Sequence, residues 1–332
     1  MALPPFPPVF FSGLEPSMKI LVLTLFSLPV LATALDLLVG DPRFLPHPVR
    51  LIGRWLDWLE AHARQWVLGL RRSGMLCVVL TAGVAWSLVE FLTGLHYVGM
   101  LASFYFAYAG LALGELLDEG RDALDCIEEG KLEEAREIVA GLVSRETSDM
   151  DEAGLRRTLA ETMSENLCDG FVAPVFYLVL GGPALMWAYK AVSTMDSMWG
   201  YRTERFRELG WAAARADDVL AFIPARLTAL FLLLAGMLLR LPWREAWKRV
   251  PAEARTMDSP NAGWPMAACA WLLEGSMGGA AVYFGEAKWK PELGPKGQDW
   301  SVEKLKKLFR LMVFAALLGL FLLQVVKVAC TV

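Results

Sequence analysis

The chain has 332 residues, 55% of them hydrophobic and 20% charged, with a mean hydropathy of +0.40 and a net charge of -4. Soluble domains are less apolar and more charged, and nucleic-acid binders carry a basic excess, so the composition argues against both and for an integral membrane protein without a nucleic-acid partner. Five scattered cysteines with no C-x-x-C pair argue against a disulfide framework or a zinc site.

The first 17 residues are rich in Pro and Phe, carry Glu15 alone, and lack the cationic start of a signal peptide. A first apolar segment, 18–39, holds Asp36 near its end. An ionisable residue there is a rim group or part of a site. Residues 40–72 contain GDPRFLPHPVRLIGRW and further arginines, so the positive-inside rule places this loop in the cytoplasm. Trp55–Leu70 is expected to be an amphipathic helix lying in the interface. Segments 73–95 and 96–116 are long enough for two spans, with Thr93-Gly94 as the turn.

Residues 117–170 read as a soluble helical insertion, with apolar residues three and four apart. Asp149 and Glu152 resemble a capping box that opens a helix at Met150. Segments 171–190, 219–239 and 311–330 complete the apolar set. Gly181-Gly182-Pro183 interrupts the first of them and predicts a kinked span or a re-entrant hairpin. Trp55, Trp58, Trp86, Trp187, Trp199 and Trp243 sit near ends of apolar runs, as interfacial anchors do. The expected fold class is all-α: a polytopic, multi-pass protein of the cell membrane. It has five to six transmembrane or re-entrant helices and helical cytoplasmic loops in one membrane-embedded domain.

Glu161, Glu165 and Asp169 are spaced by four and share one helix face, where like charges repel. A bound Mg2+ would relieve them; so would Arg156 and Arg157 on a solvated acidic stripe. Lys190, Arg202, Arg205 and Arg215 flank Asp196, Asp217 and Asp218. Such cations bind phosphate oxygens, Arg bidentately and Lys as a point charge, although basic loops next to spans also arise from topology alone. Asp41-Pro42-Arg43 and Pro46-His47-Pro48 form a rigid loop, in which His47 is a base, a ligand or a structural donor. Ser259 and Asn261 lie in the turn SPNAGW, as turn formers or ligand groups. No P-loop, dinucleotide fingerprint, nucleophile elbow or H-E-x-x-H is present.

Several of these segments resemble one family. DLLVGDPRFLPHPVRLIG (36–53), SRETSDMDE (144–152), ETMSENLCDGFVAP (161–174) and GYRTERFRELGWAAARADDVLAFIPARLTAL (200–230) carry the likeness, together with SPNAGWP (259–265), YFGE (283–286) and KPELG (290–294). The chain resembles adenosylcobinamide-phosphate synthase, a membrane protein of cobalamin biosynthesis, over roughly Asp36 to Gly294. Ser193, Cys168 and Glu146 depart from that pattern, where Asn, Thr and Asp are usual, and the roles of those positions are open.

The resemblance implies an ATP-dependent ligase joining a carboxylate of adenosylcobyric acid to the amine of (R)-1-amino-2-propanol phosphate. Mg2+ would neutralise phosphates, cations would stabilise the transferring group, and a carboxylate would deprotonate the attacking ammonium. Chemistry and motif position, rather than the resemblance, assign the roles. Glu161, Glu165 and Asp169 are the expected metal ligands. Lys190, Arg202 and Arg205 are the expected phosphate holders, and Asp196 or Asp217 the base. His47 and Arg50 would position substrate, with Asp41, Arg43, Tyr201, Glu204, Arg215, Asp218, Arg226, Ser259 and Asn261 as further substrate contacts. Expected partners are the two substrates, membrane lipid and later cobalamin-assembly enzymes, and the pocket is expected on the cytoplasmic side. A transporter using Asp36, Glu90 and Arg226 would need inverted repeats, and no internal self-similarity is present. A non-catalytic scaffold for corrinoid enzymes would show no ligation at all.

Overall fold

The computed structural model describes residues 27–42, 47–283 and 285–331, without the side chains of residues 286, 287 and 331. Arg43 and the first part of the segment 18–39 lie outside the described residues. The helices are α1 (Leu28–Val39), α2 (Pro48–Ala63), α3 (Leu70–Thr93), α4 (Gly99–Ala109), α5 (Leu113–Glu128), α6 (Leu132–Leu142) and α7 (Glu152–Leu167). A π-helical turn, Cys168–Val172, precedes α8 (Ala173–Trp199), α9 (Trp211–Leu220), α10 (Phe222–Leu238) and α11 (Trp243–Glu253). Then come α12 (Gly263–Leu273), β1 (Met277–Tyr283), β2 (Glu286–Leu293) and α13 (Val302–Thr331).

Among the described residues, four stretches are long and apolar enough to cross a membrane: Leu70–Thr93, Gly99–Glu128, Glu152–Trp199 and Val302–Cys330. There are five if Trp211–Leu220 and Phe222–Leu238 are one broken span. The protein is thus a mostly helical, polytopic membrane protein. Beside the helices stands a small antiparallel hairpin, β1–β2.

Contacts divide the chain into two units. The first comprises residues 1–112, 173–220 and 320–332; the second comprises 113–172 and 221–319. In the first unit, α1 carries Pro at its second position and stops at Gly40. Pro48 opens α2, where its missing N–H costs nothing. This helix starts at Pro48 and ends at Ala63, earlier at both ends than the predicted 55–70. Its apolar stripe also does not face lipid: Leu56, Leu59 and Ala63 are buried against Cys77, Met195, Trp199, Leu209 and Ala213. By contrast, α3 leaves Met75, Val79, Val84, Leu88 and Phe91 exposed. A helix that is apolar on its unburied side requires lipid.

Gly181 and Gly182 leave helical geometry inside α8, Gly182 with φ 74°. A side chain at Gly182 would be strained there, and Pro183 restarts the helix without an N–H to satisfy. The interruption is therefore a kink, and helix continues to Trp199, through Lys190 and Asp196. Trp187 and Trp199 are 1% exposed, so they are core residues rather than interfacial anchors. The Trp187 indole donates to Phe106 O at 2.8 Å.

In the second unit, α5 buries Leu113, Leu117, Leu124 and Ile127. The cap of α7 is Asp151, which accepts from Gly154 N at 2.8 Å. This moves the predicted start by two residues and sets aside the Asp149 capping box. Almost all of α12 is buried, from Gly263 to Leu273. The weakly apolar stretch 267–284 thus divides into a buried helix and a strand. Gly278, with φ 89°, packs against the Pro291 carbonyl, where no side chain fits, and the ladder shifts register beside it. Trp300 Nε1 donates to Ser276 O at 3.0 Å and fixes the hairpin base next to α13.

Candidate functional site

In the first unit, the end of α1, the cap of α2 and the second half of α8 bring charge together. His47 is the N-cap of α2, and its Nδ1 accepts from Val49 N at 3.3 Å. That bond leaves the proton on Nε2, which lies 3.7 Å from Asp41 Oδ2. Burial holds the His47 imidazole below its ordinary value of 6.5, against the pull of Asp41 and with Lys190 and Arg50 adding to the shift. Lys190 and Arg50 are therefore both within electrostatic reach of the ring. Tyr108 donates to Gly40 O and packs the end of α1 onto α4. A neutral imidazole donor, a half-exposed carboxylate and two cations suit an anionic or zwitterionic small substrate.

The loop 200–210 behaves differently. Arg205, expected to hold phosphate, instead clamps Glu60. Its Nε reaches Glu60 Oε1 and its Nη2 reaches Oε2, both at 2.8 Å. Arg64 donates to the same Oε1 from Nε at 2.9 Å and from Nη2 at 2.7 Å, and to Arg205 O at 2.7 Å. The Phe206 ring lies under both guanidinium groups. Planar forks matched to a buried carboxylate tie α2 to the loop, which corrects the role given to Arg205.

Arg202 and Glu204 are exposed, and Tyr201 is half-buried. Arg215 pairs with Asp218 at 3.1 Å, and Arg202 is also within electrostatic reach of Asp218. Asp217 lies within reach of Tyr177, whose hydroxyl donates to Leu220 O at 2.9 Å. Asp196 is half-buried on α8, six residues and nearly two helical turns beyond Lys190.

In the second unit, the proposed acidic trio does not form a metal site. Glu161 is 1% exposed and paired with the buried Arg145, and its Oε1 accepts from Gly278 N at 2.7 Å. Its oxygens are thus already occupied by a cation and a backbone donor. Glu165 lies within electrostatic reach of Lys290 and Arg145. Asp169 sits in the π-helical turn, which breaks the regular fourfold spacing that would have aligned it. Among the described residues, no group of three His, Cys, Asp or Glu could hold a metal ion. The alternative of a solvated stripe relieved by Arg156 and Arg157 also fails for Glu161, since Arg156 pairs with Glu152.

Arg226 is a turn clamp rather than an open substrate contact. It donates to Phe222 O at 2.9 Å, Asn261 Oδ1 at 2.7 Å and Pro260 O at 3.0 Å, between the Phe222 and Trp264 rings. Ser259 Oγ accepts from Asn261 N and Ala262 N, both at 3.3 Å, and so caps the same turn.

Local spacing could not find Arg145, Glu60, Tyr283 or Lys290. Arg145, Tyr283 and Lys290 do lie in the segments 144–152, 283–286 and 290–294. The structure joins these segments: Glu146 Oε1 accepts from Gly285 N at 2.7 Å, and Glu146 N donates to Val282 O at 3.0 Å.

Residues 29–312 match the profile of the CobD/Cbib protein family. The chain is 39% identical to the cobalamin biosynthesis protein CobD of Geobacter metallireducens, covering 91% of this chain and 96% of that one. It is 37% identical to the cobalamin biosynthesis protein CobD of Klebsiella pneumoniae, covering 88% and 94%. It is 36% identical to the cobalamin biosynthesis protein CbiB of Salmonella typhimurium, again covering 88% and 94%. No solved structure matches.

Proposed function

The chain belongs to the CobD/Cbib protein family, and within it we propose that this cobalamin biosynthesis protein is an ATP-dependent ligase. It joins the amine of (R)-1-amino-2-propanol phosphate, or a related aminoalcohol phosphate, to a carboxylate of adenosylcobyric acid. The observation that carries this reading is the Asp41–His47–Arg50–Lys190 cluster, half-exposed at helix ends beside apolar spans.

A free carboxylate is a poor electrophile, so it has to be activated, and ATP supplies that activation. An incoming ammonium has to lose a proton before it attacks. Lys190 and Arg50 serve as point and fork charges for carboxylate or phosphate oxygens. Neutral His47, with Nδ1 accepting from Val49 N and its ring N–H directed to the Ala109 backbone, positions Asp41 rather than acting as the base. Asp41 attracts the ammonium, and Asp196 or Asp217 accepts its proton. Mg2+ would enter with the nucleotide phosphates, keeping most of its waters. The Glu161, Glu165 and Asp169 set does not fit it, and no step is assigned to the metal.

The test is to incubate detergent-purified protein with adenosylcobyric acid, aminopropanol phosphate and MgATP. Mass detection should find the amide, with one ADP or AMP formed per product. A well-folded preparation that yields no amide overturns the reading and leaves a scaffold or transporter.

A further inference from the structure

We propose that the face of the β1–β2 hairpin that looks onto α7 is a phosphate-binding site built from Arg157, Lys288, Lys290 and the Tyr283 ring. The ladder pairs Gly279 with Lys290 and Ala281 with Lys288, so these residues and Tyr283 share one face of the hairpin. The opposite face carries the exposed Val282 and Trp289. Both ammonium groups lie over the single Tyr283 ring, Lys290 at 5.2 Å and Lys288 at 5.7 Å from its centroid. Arg157 Nη1 lies 3.8 Å from the point where a side chain on Gly279 would begin. The residue opposite Gly279 is Lys290, so the guanidinium lies beside the backbone pair from which Lys290 projects.

Among the described residues, none of the three cations forms an ion pair, and Arg157 Nε is buried without a hydrogen-bond partner. Of the acids on the same α7 face, Glu161 is already taken by Arg145 and Gly278 N. Glu165 is within electrostatic reach of Lys290. Asp151 and Asp299 line a cavity of about 230 Å³ with Arg157, Ser276 and Trp300, yet neither pairs with Arg157. Two ammonium groups held over one ring repel each other unless an anion is shared between them, and Arg157 beside the same hairpin face adds a fork. A phosphate monoester or polyphosphate supplies two negative charges and several acceptor oxygens, and matches a fork and two point charges. The Arg145–Glu161–Gly278 connection beneath holds the hairpin in register, so the cradle is preformed.

The inference adds a phosphate-binding site in the second unit to the reading proposed above and rests on that reading for its role, although its binding test does not. Two sources share this chemistry: the nucleotide polyphosphate and the aminoalcohol phosphate. Calorimetric titration of the full chain in detergent with ATP, and separately with aminopropanol phosphate, distinguishes them. The variants are Lys290→Gln, Arg157→Gln and the exposed Lys288→Gln, with Lys306→Gln as a remote control and thermal unfolding as the check on folding. At least one probe should bind about tenfold or more weakly for each removed cation, with a flatter salt dependence and an unchanged unfolding temperature. Loss confined to ATP assigns the nucleotide, and loss confined to the other probe assigns the aminoalcohol. Wild-type affinity for both probes in all three variants overturns the site, as does a wild-type protein that binds neither. A protein that binds a probe but makes no amide keeps the site and removes the ligase, and the reverse result separates them the other way.

Discussion

Two charged regions of this molecule are chemically alike and built differently. In the second unit, Arg145 and Glu161 are 8% and 1% exposed at their side chains and contact directly, with Thr158 and Gly278 N as additional partners. In the first unit, His47 and Asp41 are 15% and 36% exposed and 3.7 Å apart, too far for a hydrogen bond. The first arrangement is saturated and dry, so a ligand would have to break it. The second is loosely held and reaches solvent through Asp41, so a ligand can complete it. Charge alone therefore does not mark a site; unsatisfied geometry within reach of solvent does.

The largest effect should come from breaking the saturated pair. Glu161→Gln leaves Arg145 buried without its counter-charge, at a cost of about 3 to 5 kcal/mol. Thermal unfolding in detergent should show it, and activity should fall only with the folded fraction. Replacing both partners, Arg145→Met with Glu161→Leu, should recover most of the loss. Full stability with abolished activity in Glu161→Gln would make Glu161 chemical and erase the contrast. Lys190→Gln tests the other side. It should lower kcat/KM about 100-fold or more, equivalent to about 2.7 kcal/mol in the transition state. Its unfolding temperature should stay near that of the wild type.

The same contrast explains what was legible in the sequence. Hydropathy alone placed α3 and α4 and the turn at Gly94, because lipid-facing helices are apolar over their whole length. It failed for Trp187 and Trp199, because an aromatic residue near the end of an apolar run reads the same whether it meets headgroups or packs inside. The hairpin was missed because its strands contain Gly278, Gly279 and Pro291 and too few apolar residues for a clear alternation. The pairs Arg145–Glu161 and Glu60–Arg205 are 16 and 145 residues apart. Fourfold spacing found the acids of α7 but not the arginine that answers one of them. Asp41 and His47 were legible together because a short Pro-rich loop keeps them close in space as well as in sequence, whereas Lys190 comes within reach of His47 only through the fold.

The loosely held cluster should also respond to pH. Burial lowers the His47 imidazole below 6.5, so between its folded value and 6.5 the unfolded chain binds more protons than the folded one. The His47 contribution is thus fully present above pH 6.5 and is lost as pH falls through the lowered folded value. For one proton the slope cannot exceed about 1.4 kcal/mol per pH unit. Unfolding measured from pH 7 down to pH 5 should show this loss, and His47→Gln should remove that component. An unchanged profile in the variant would show that the ring is as well solvated in the folded chain as in the unfolded one.

The smallest effect tests whether the Glu60 clamp belongs with the saturated region. Arg205 grips both oxygens of a buried carboxylate, yet its own side chain is 66% exposed, so solvent screens much of the attraction. Arg205→Lys keeps the charge and loses the fork, and should cost about 0.5 to 1 kcal/mol with ligation unchanged. Burial alone would raise the Glu60 carboxyl, but the hydrogen bonds from Arg205 and Arg64 outweigh it and hold it below 4.5. Its stabilisation is accordingly present above pH 4.5 and lost as pH falls through the lower folded value. With one oxygen less well satisfied in Arg205→Lys, the carboxyl moves up, and acid unfolding should begin at a higher pH than in the wild type. If instead the variant unfolds at the wild-type pH but turns over substrate slowly, Arg205 contacts substrate after all, and the clamp is the resting form of a binding group.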